Sequence, residues 1–221
     1  MRLHLAPEEL TQYAARQLDH LFPLGSLADT SRVLARHLPK ALDRLEYCFV
    51  RINNKYYQRE GEAYFSPLMT DQYATFLYLL ANTVFKDGQN AEMAGRLYAL
   101  NKALHGLDVF YEVEMPRVFL WVHCLGTVLG RARYGEYLVV YQGVTVGGNL
   151  AYEYPDIGSR VALFSNSSVL GKTAVRDGVL VAARASLLDV EVPPDHVCYG
   201  QHPEERWKPA RRSVMSQYFN L

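Results

Sequence analysis

Imidazole and thiol are the groups best able to move a proton or attack a carbonyl near neutral pH. One stretch of this sequence sets them side by side: His123 and Cys124, just before the run Gly126-Thr-Val-Leu-Gly130. An imidazole there would serve as a general base, a role worth roughly 10²–10⁴ in rate. Cys124 offers a covalent alternative, but nothing near it resembles an activating pair, so it is the weaker candidate. His4, His20, His37 and His105 are followed by no such glycine-valine run and read as structural or surface residues. Cys48, Cys124 and Cys198 are too few and too scattered for a disulfide framework or a zinc site. A reduced, cytoplasmic protein without a bound metal is the expectation.

The elements that must position these residues announce themselves further along. Residues 157–192 divide into sixes beginning Ile157, Leu163, Val169, Val175, Val181 and Leu187, with Val161, Ser167, Thr173, Val179 and Ala185 at the fifth places. Helices repeat their apolar residues at three and four, and ordinary strands at two. A strict period of six marks a solenoid of short parallel strands whose large aliphatics fill a narrow prism. Leu138 and Val144 keep the interval, but Ile157 comes thirteen residues after Val144, so 149–156 should leave the coil as a loop. Loops on such scaffolds tend to carry the specific contacts. Val192-Pro-Pro-Asp195 is expected to end the solenoid, since proline cannot donate to a ladder.

Residues 1–110 read as helical instead. Pro7-Glu8-Glu9 opens one helix, Ser66-Pro67 another, and a third runs from Ala91 until Gly106 stops it; Pro39 should break or kink the segment 27–52. From Val109 the style changes, and Phe110–Pro116 reads as extended. Three regions result: a helical domain over 1–108, a repeat domain over 109–200, and a C-terminal tail over 201–221 that is either solvated or a basic cap on the last coil. The balance of 23 Lys+Arg against 23 Asp+Glu gives no global field to draw nucleic acid or acidic lipid. No apolar run is long enough to span a bilayer, and the N-terminus lacks the apolar core of a signal peptide.

His123-Cys-Leu-Gly-Thr-Val-Leu-Gly130, Tyr141-Gln-Gly-Val-Thr-Val-Gly-Gly148, Tyr154-Pro-Asp-Ile-Gly158, Val169-Leu-Gly171 and Val192-Pro-Pro194 together resemble the serine acetyltransferase branch of the hexapeptide-repeat acyltransferases. The resemblance covers roughly residues 112–200. It implies an α+β fold, a helical N-terminal domain followed by a left-handed parallel β-helix. It further implies acetyl-CoA as acyl donor and a homotrimer with active sites between subunits, with trimers able to pair through their helical halves. His123 falls at the family's catalytic histidine. Gly147, Gly148, Ser165 and Ala183 fall at positions that bind coenzyme A. Glu114 is the candidate to orient His123, although the spacing between them is one hexapeptide shorter than in the family.

The acceptor positions depart from the family. Its Arg-His-Pro, whose arginine meets the amino acid's carboxylate, reads Glu153-Tyr154-Pro155 here. A carboxylate at that place would repel serine and would accept hydrogen bonds from sugar hydroxyls, with Tyr154 adding a ring face and a hydroxyl. The expectation is therefore an acetyl-CoA-dependent O-acetyltransferase acting on a sugar or surface-glycan precursor. Serine O-acetylation for cysteine biosynthesis is the alternative, and a non-catalytic trimeric scaffold is the third reading.

Overall fold

The computed structural model describes residues 1–221. The chain divides into one compact unit of Met1–Val50 with Asn54–Gly106 and a second of Arg51–Asn53 with Leu107–Leu221.

The first unit holds helices α1 (Pro7–Leu21), α2 (Leu27–Phe49), α3 (Thr70–Gly88) and α4 (Ala91–His105). Leu10, Ala14 and Leu18 of α1, and Leu34, Leu38, Ala41 and Leu45 of α2, are buried at helical spacing. From Gln72 to Val84 every residue of α3 is buried, which makes α3 the centre of the bundle. Pro39 does not break α2, which continues to Phe49. A proline inside a helix costs about 3 kcal/mol, and the buried leucines on both sides of it offset that. The second start signal also misleads by a few residues. Ser66 closes a turn with the Met69 and Leu68 N–H groups, and α3 begins at Thr70. A small sheet was not legible in the all-helical reading of this half: Glu62–Phe65 pairs parallel with Arg2–Leu3 and antiparallel with Gln58–Arg59. Its hairpin turns on Glu60 and Gly61, both at positive φ, and its strands are too short to show a period of two.

The second unit is a parallel β-helix with three faces. The first face stacks Phe119–Val122, Leu138–Tyr141, Ala162–Leu163, Leu180–Val181 and His196–Tyr199. The second stacks Asp108–Val109, Val128–Leu129, Thr145–Gly147, Ser168–Leu170 and Ser186–Leu188. The third stacks Arg133–Tyr134, Asp156–Ile157, Ala174–Val175 and Glu191–Val192. The hexad positions are the core: Ile157, Leu163, Val169, Val175, Val181 and Leu187 are at most 1% exposed, and so are Val161, Ser167, Thr173, Val179 and Ala185. The expected architecture of helices followed by a coil of short parallel strands is what the chain adopts.

Ladder partners measure each turn. Ala162 pairs with Leu180 and Ser168 with Ser186, 18 residues on, whereas Val139 pairs with Ala162 and Thr145 with Ser168, 23 residues on. The longer turn contains the expected loop, between Gly147 and Asp156.

Three local expectations give way. Phe110–Pro116 is not extended; Val113 N–H closes a turn on the Phe110 carbonyl after the short strand Asp108–Val109. The coil does not end at Pro193-Pro194, because they occupy a corner, where no ladder donor is needed, and His196–Tyr199 rejoins the first face beside Leu180–Val181. The last segment is not a solvated tail. Arg206–Pro209 pairs antiparallel with His196–Tyr199, Met215 and Phe219 are 1% exposed, and Phe219 bridges to Ile52. Phe219 packs edge-on to Tyr137 at 5.3 Å, and the Tyr218 hydroxyl lies 2.9 Å from that of Tyr141. Along this face the outward-pointing Leu120, Val139, Ala162 and Leu180 are all buried, at 5, 0, 0 and 8% exposure.

Candidate active site

His123 directly follows the first strand of the first face and is exposed, with φ at +53°. Histidine is among the residues that enter the left-handed region most readily. The turn carries the chain around the corner so that Cys124, the next residue, is buried to 3% while His123 stays outside. Leu125 N–H donates to the His123 carbonyl at 2.7 Å and fixes the corner. Burial removes Cys124 from the competition for a nucleophile, since a reactive thiol must reach its substrate as a thiolate.

Ser165 and Ala183 follow later strands of the same face, so they share the His123 corner. Ser165 is half-buried, Ala183 is exposed, and the Ser165 carbonyl accepts from Arg184 N–H at 2.9 Å. Glu114 is also exposed and lies in the stretch that leads into the strand whose far end carries His123.

The remaining predicted residues sit at a different corner, where the second face gives way to the third. Gly147 is open: a Cβ built there would meet nothing within 4 Å. Gly148 is exposed but crowded on its Cβ side. A Cβ there would stand 2.9 Å from the Tyr154 ring and 3.1 Å from the Glu153 carbonyl oxygen, so the glycine lets the loop fold back on the coil. Within one protomer the width of the second face separates His123, Ser165 and Ala183 from Gly147, Gly148, Glu153 and Tyr154.

The loop is built around Asn149. Its Oδ1 accepts from Ala151 and Glu153 N–H groups at 3.0 and 3.1 Å, and its Nδ2 donates to Glu153 Oε2 at 2.9 Å. Lys172 Nζ lies 3.8 Å from the same carboxylate. Glu153 is therefore not wholly free: one oxygen accepts from Asn149 and the other faces the Lys172 ammonium of a later turn. Tyr154 carries the Arg131 guanidinium 5.3 Å from its ring centroid. The six-residue interval fails around Asn149 and Arg131, leaving no register in which to place them, and Lys172, which is in register, has nothing in its own hexad to tie it to Glu153. Their shared signal is only in hindsight a charge pattern: one acid among two cations at neighbouring turns.

These features define a parallel β-helix with an exposed histidine at one corner and a polar loop at another, an arrangement that resembles the hexapeptide-repeat acyltransferases. No family model matches the chain. It is similar to the serine acetyltransferase of Staphylococcus xylosus, 26% identical over 121 residues, which is 53% of this chain. The match spans 56% of that relative's length, little more than half. In fold it is similar to the serine acetyltransferase of Vibrio cholerae O1, with a TM-score of 0.75 and 18% identity over 97% of this chain and 84% of that one. A serine acetyltransferase solved in complex with CoA superposes with a TM-score of 0.70 and 16% identity over 93% of this chain and 86% of that one.

Proposed function

We propose that this protein is an acetyl-CoA-dependent O-acetyltransferase and that its acceptor is L-serine rather than a sugar. The observation that carries the reading is the exposed imidazole of His123 at a left-handed corner of a β-helix whose sequence relatives are serine acetyltransferases. Glu153, the acid that favours a sugar at this place, accepts from Asn149 within the loop and faces the Lys172 ammonium from a later turn. Its like-charge objection to serine is weakened accordingly.

His123 takes the proton from the acceptor hydroxyl as its oxygen attacks the thioester carbonyl. The C–O bond forms, the tetrahedral carbon collapses with loss of the C–S bond, and the imidazolium returns its proton to the departing sulfur of coenzyme A. The donor would lie along Ser165 and Ala183 beside His123 and, on another protomer, over the open strand edge at Gly147; the structural relative holding CoA supports a fold able to take this ligand. Glu114 would orient the imidazole. The acceptor would meet the loop of Glu153 and Tyr154. Since the two groups of residues occupy different corners of one coil, a complete site requires two copies, and a homotrimer supplies them. Cyclic assembly also gives every copy the same pair of half-sites.

The test is coenzyme A release from acetyl-CoA, measured with L-serine and with a panel of sugars and sugar nucleotides. Serine-dependent release that falls by roughly 10²–10⁴ in His123→Ala is expected. Release that follows a sugar and ignores serine would restore the glycan reading; undiminished release in His123→Ala would remove the mechanism.

A further inference from the structure

We propose that Arg131 selects a carboxylate-bearing acceptor, taking over from another turn of the coil the charge that position 153 lacks; this rests on the acyl-transfer reading above. Arg131 directly follows Gly130, which is pressed against the next turn. A Cβ on Gly130 would lie 2.9 Å from the Val146 carbonyl oxygen, and Gly130 N–H donates to that oxygen at 2.8 Å. The Tyr134 hydroxyl donates to the Gly130 carbonyl at 2.8 Å and fixes the other side. The backbone that launches Arg131 is thus tied to the strand ending at Gly147, the same corner from which the Glu153–Tyr154 loop departs.

The charges around it are already matched. Arg133 pairs with Asp156, Arg160 faces Asp177 at 3.8 Å, and Arg176 holds Glu191 at 2.7 Å. Glu153 faces Lys172 at 3.8 Å and accepts a hydrogen bond from Asn149. Arg131 meets no carboxylate; it is exposed, and its guanidinium rests 5.3 Å from the centre of the Tyr154 ring. Stacking on an aromatic ring orients the planar fork while leaving its N–H edge open. Such an edge recognises a carboxylate through two parallel hydrogen bonds, a geometry an ammonium or a sugar hydroxyl cannot return. The acceptor class that follows is a small hydroxy amino acid: a hydroxyl for acylation and a carboxylate for Arg131.

Steady-state kinetics with acetyl-CoA and two acceptors, L-serine and L-serinamide, read this directly, because the amide keeps the hydroxyl and loses the carboxylate. The wild-type chain is expected to favour serine over serinamide in kcat/KM. Arg131→Gln should raise the KM for serine by about tenfold to a hundredfold, the range of a charge-assisted pair, abolish that preference, and leave the KM for acetyl-CoA unchanged. Arg131→Lys should recover part of the preference, since charge returns without the fork. A merely structural role would move both acceptors and the donor together. Serine-dependent turnover in which Arg131→Gln still prefers serine over serinamide overturns the assignment alone. A wild-type chain that turns over neither acceptor but acetylates a sugar overturns the serine reading and this one with it.

Discussion

Asn149 Nδ2 lies 3.0 Å from Asp189 Oδ1, although a full turn of the coil separates the turns that carry them. The intervening turn presents Gly171, at φ +64°, where a Cβ would fall 2.1 Å from that same oxygen and 3.1 Å from the Asn149 nitrogen. Asp189 also accepts from Lys172 N–H at 2.8 Å. One carboxylate therefore ties a corner of the coil to the loop that would hold the acceptor.

Gly171→Ala should accordingly fail twice over. The left-handed backbone and the clash with Asp189 should lower stability by about 2 kcal/mol, seen as a lower thermal midpoint. The released loop should raise the KM for the acceptor more than that for acetyl-CoA. A variant that melts like the parent would show that the corner relaxes freely.

Phe219→Ala tests whether the C-terminal segment is part of the core. Its ring is 1% exposed against Tyr137, and removing a buried phenylalanine costs about 3–5 kcal/mol. The neighbouring Tyr218 hydroxyl is held protonated well above the ordinary tyrosine range, first by burial and then by its bond to Tyr141. Denaturant unfolding should show the loss in Phe219→Ala; a midpoint equal to the parent would return this segment to solvent.

Acid should weaken the helical unit. Burial lowers the pKa of His105, which sits 2.8 Å from Asn101 Oδ1 and edge-on to Tyr73, and burial lowers that of His37 as well. A histidine in the unfolded chain titrates near about 6.5. Below that pH the unfolded state binds protons the fold refuses, so stability is full above it and is lost as pH falls through the lower folded values. Melting should therefore drop between neutral pH and mild acid, and the drop should shrink in His105→Gln.

All three thiols should be silent in the folded chain. Cys48 and Cys198 are 0% exposed and Cys124 is 3%, and burial, with Glu205 nearby, raises the Cys198 thiol to about 11. A neutral alkylating reagent at pH 8 should modify none of them quickly and all of them in denaturant. Rapid modification mapped to Cys124 in the native protein would place it back among the candidate nucleophiles.

The six-residue spacing from Ile157 to Leu187 determined the coil from sequence alone, because each large aliphatic must enter a prism with no room for anything else. The same spacing exposed the loop, since a turn with surplus residues can only shed them outward, and the family-like run His123–Gly130 made His123 the candidate base. What the sequence left undecided was everything set by neighbours one turn away. Glu153 looked like a free acid until folding brought Asn149 and Lys172 to it, and only the folded loop shows the Tyr154 ring against the Cβ side of Gly148. Arg131 had no reading at all. The Lys172–Glu153 and Arg131–Tyr154 contacts join residues on different turns, and the Asn149–Glu153 and Gly148–Tyr154 contacts depend on how the loop folds back on the coil; both are properties of the folded coil, which no local pattern records.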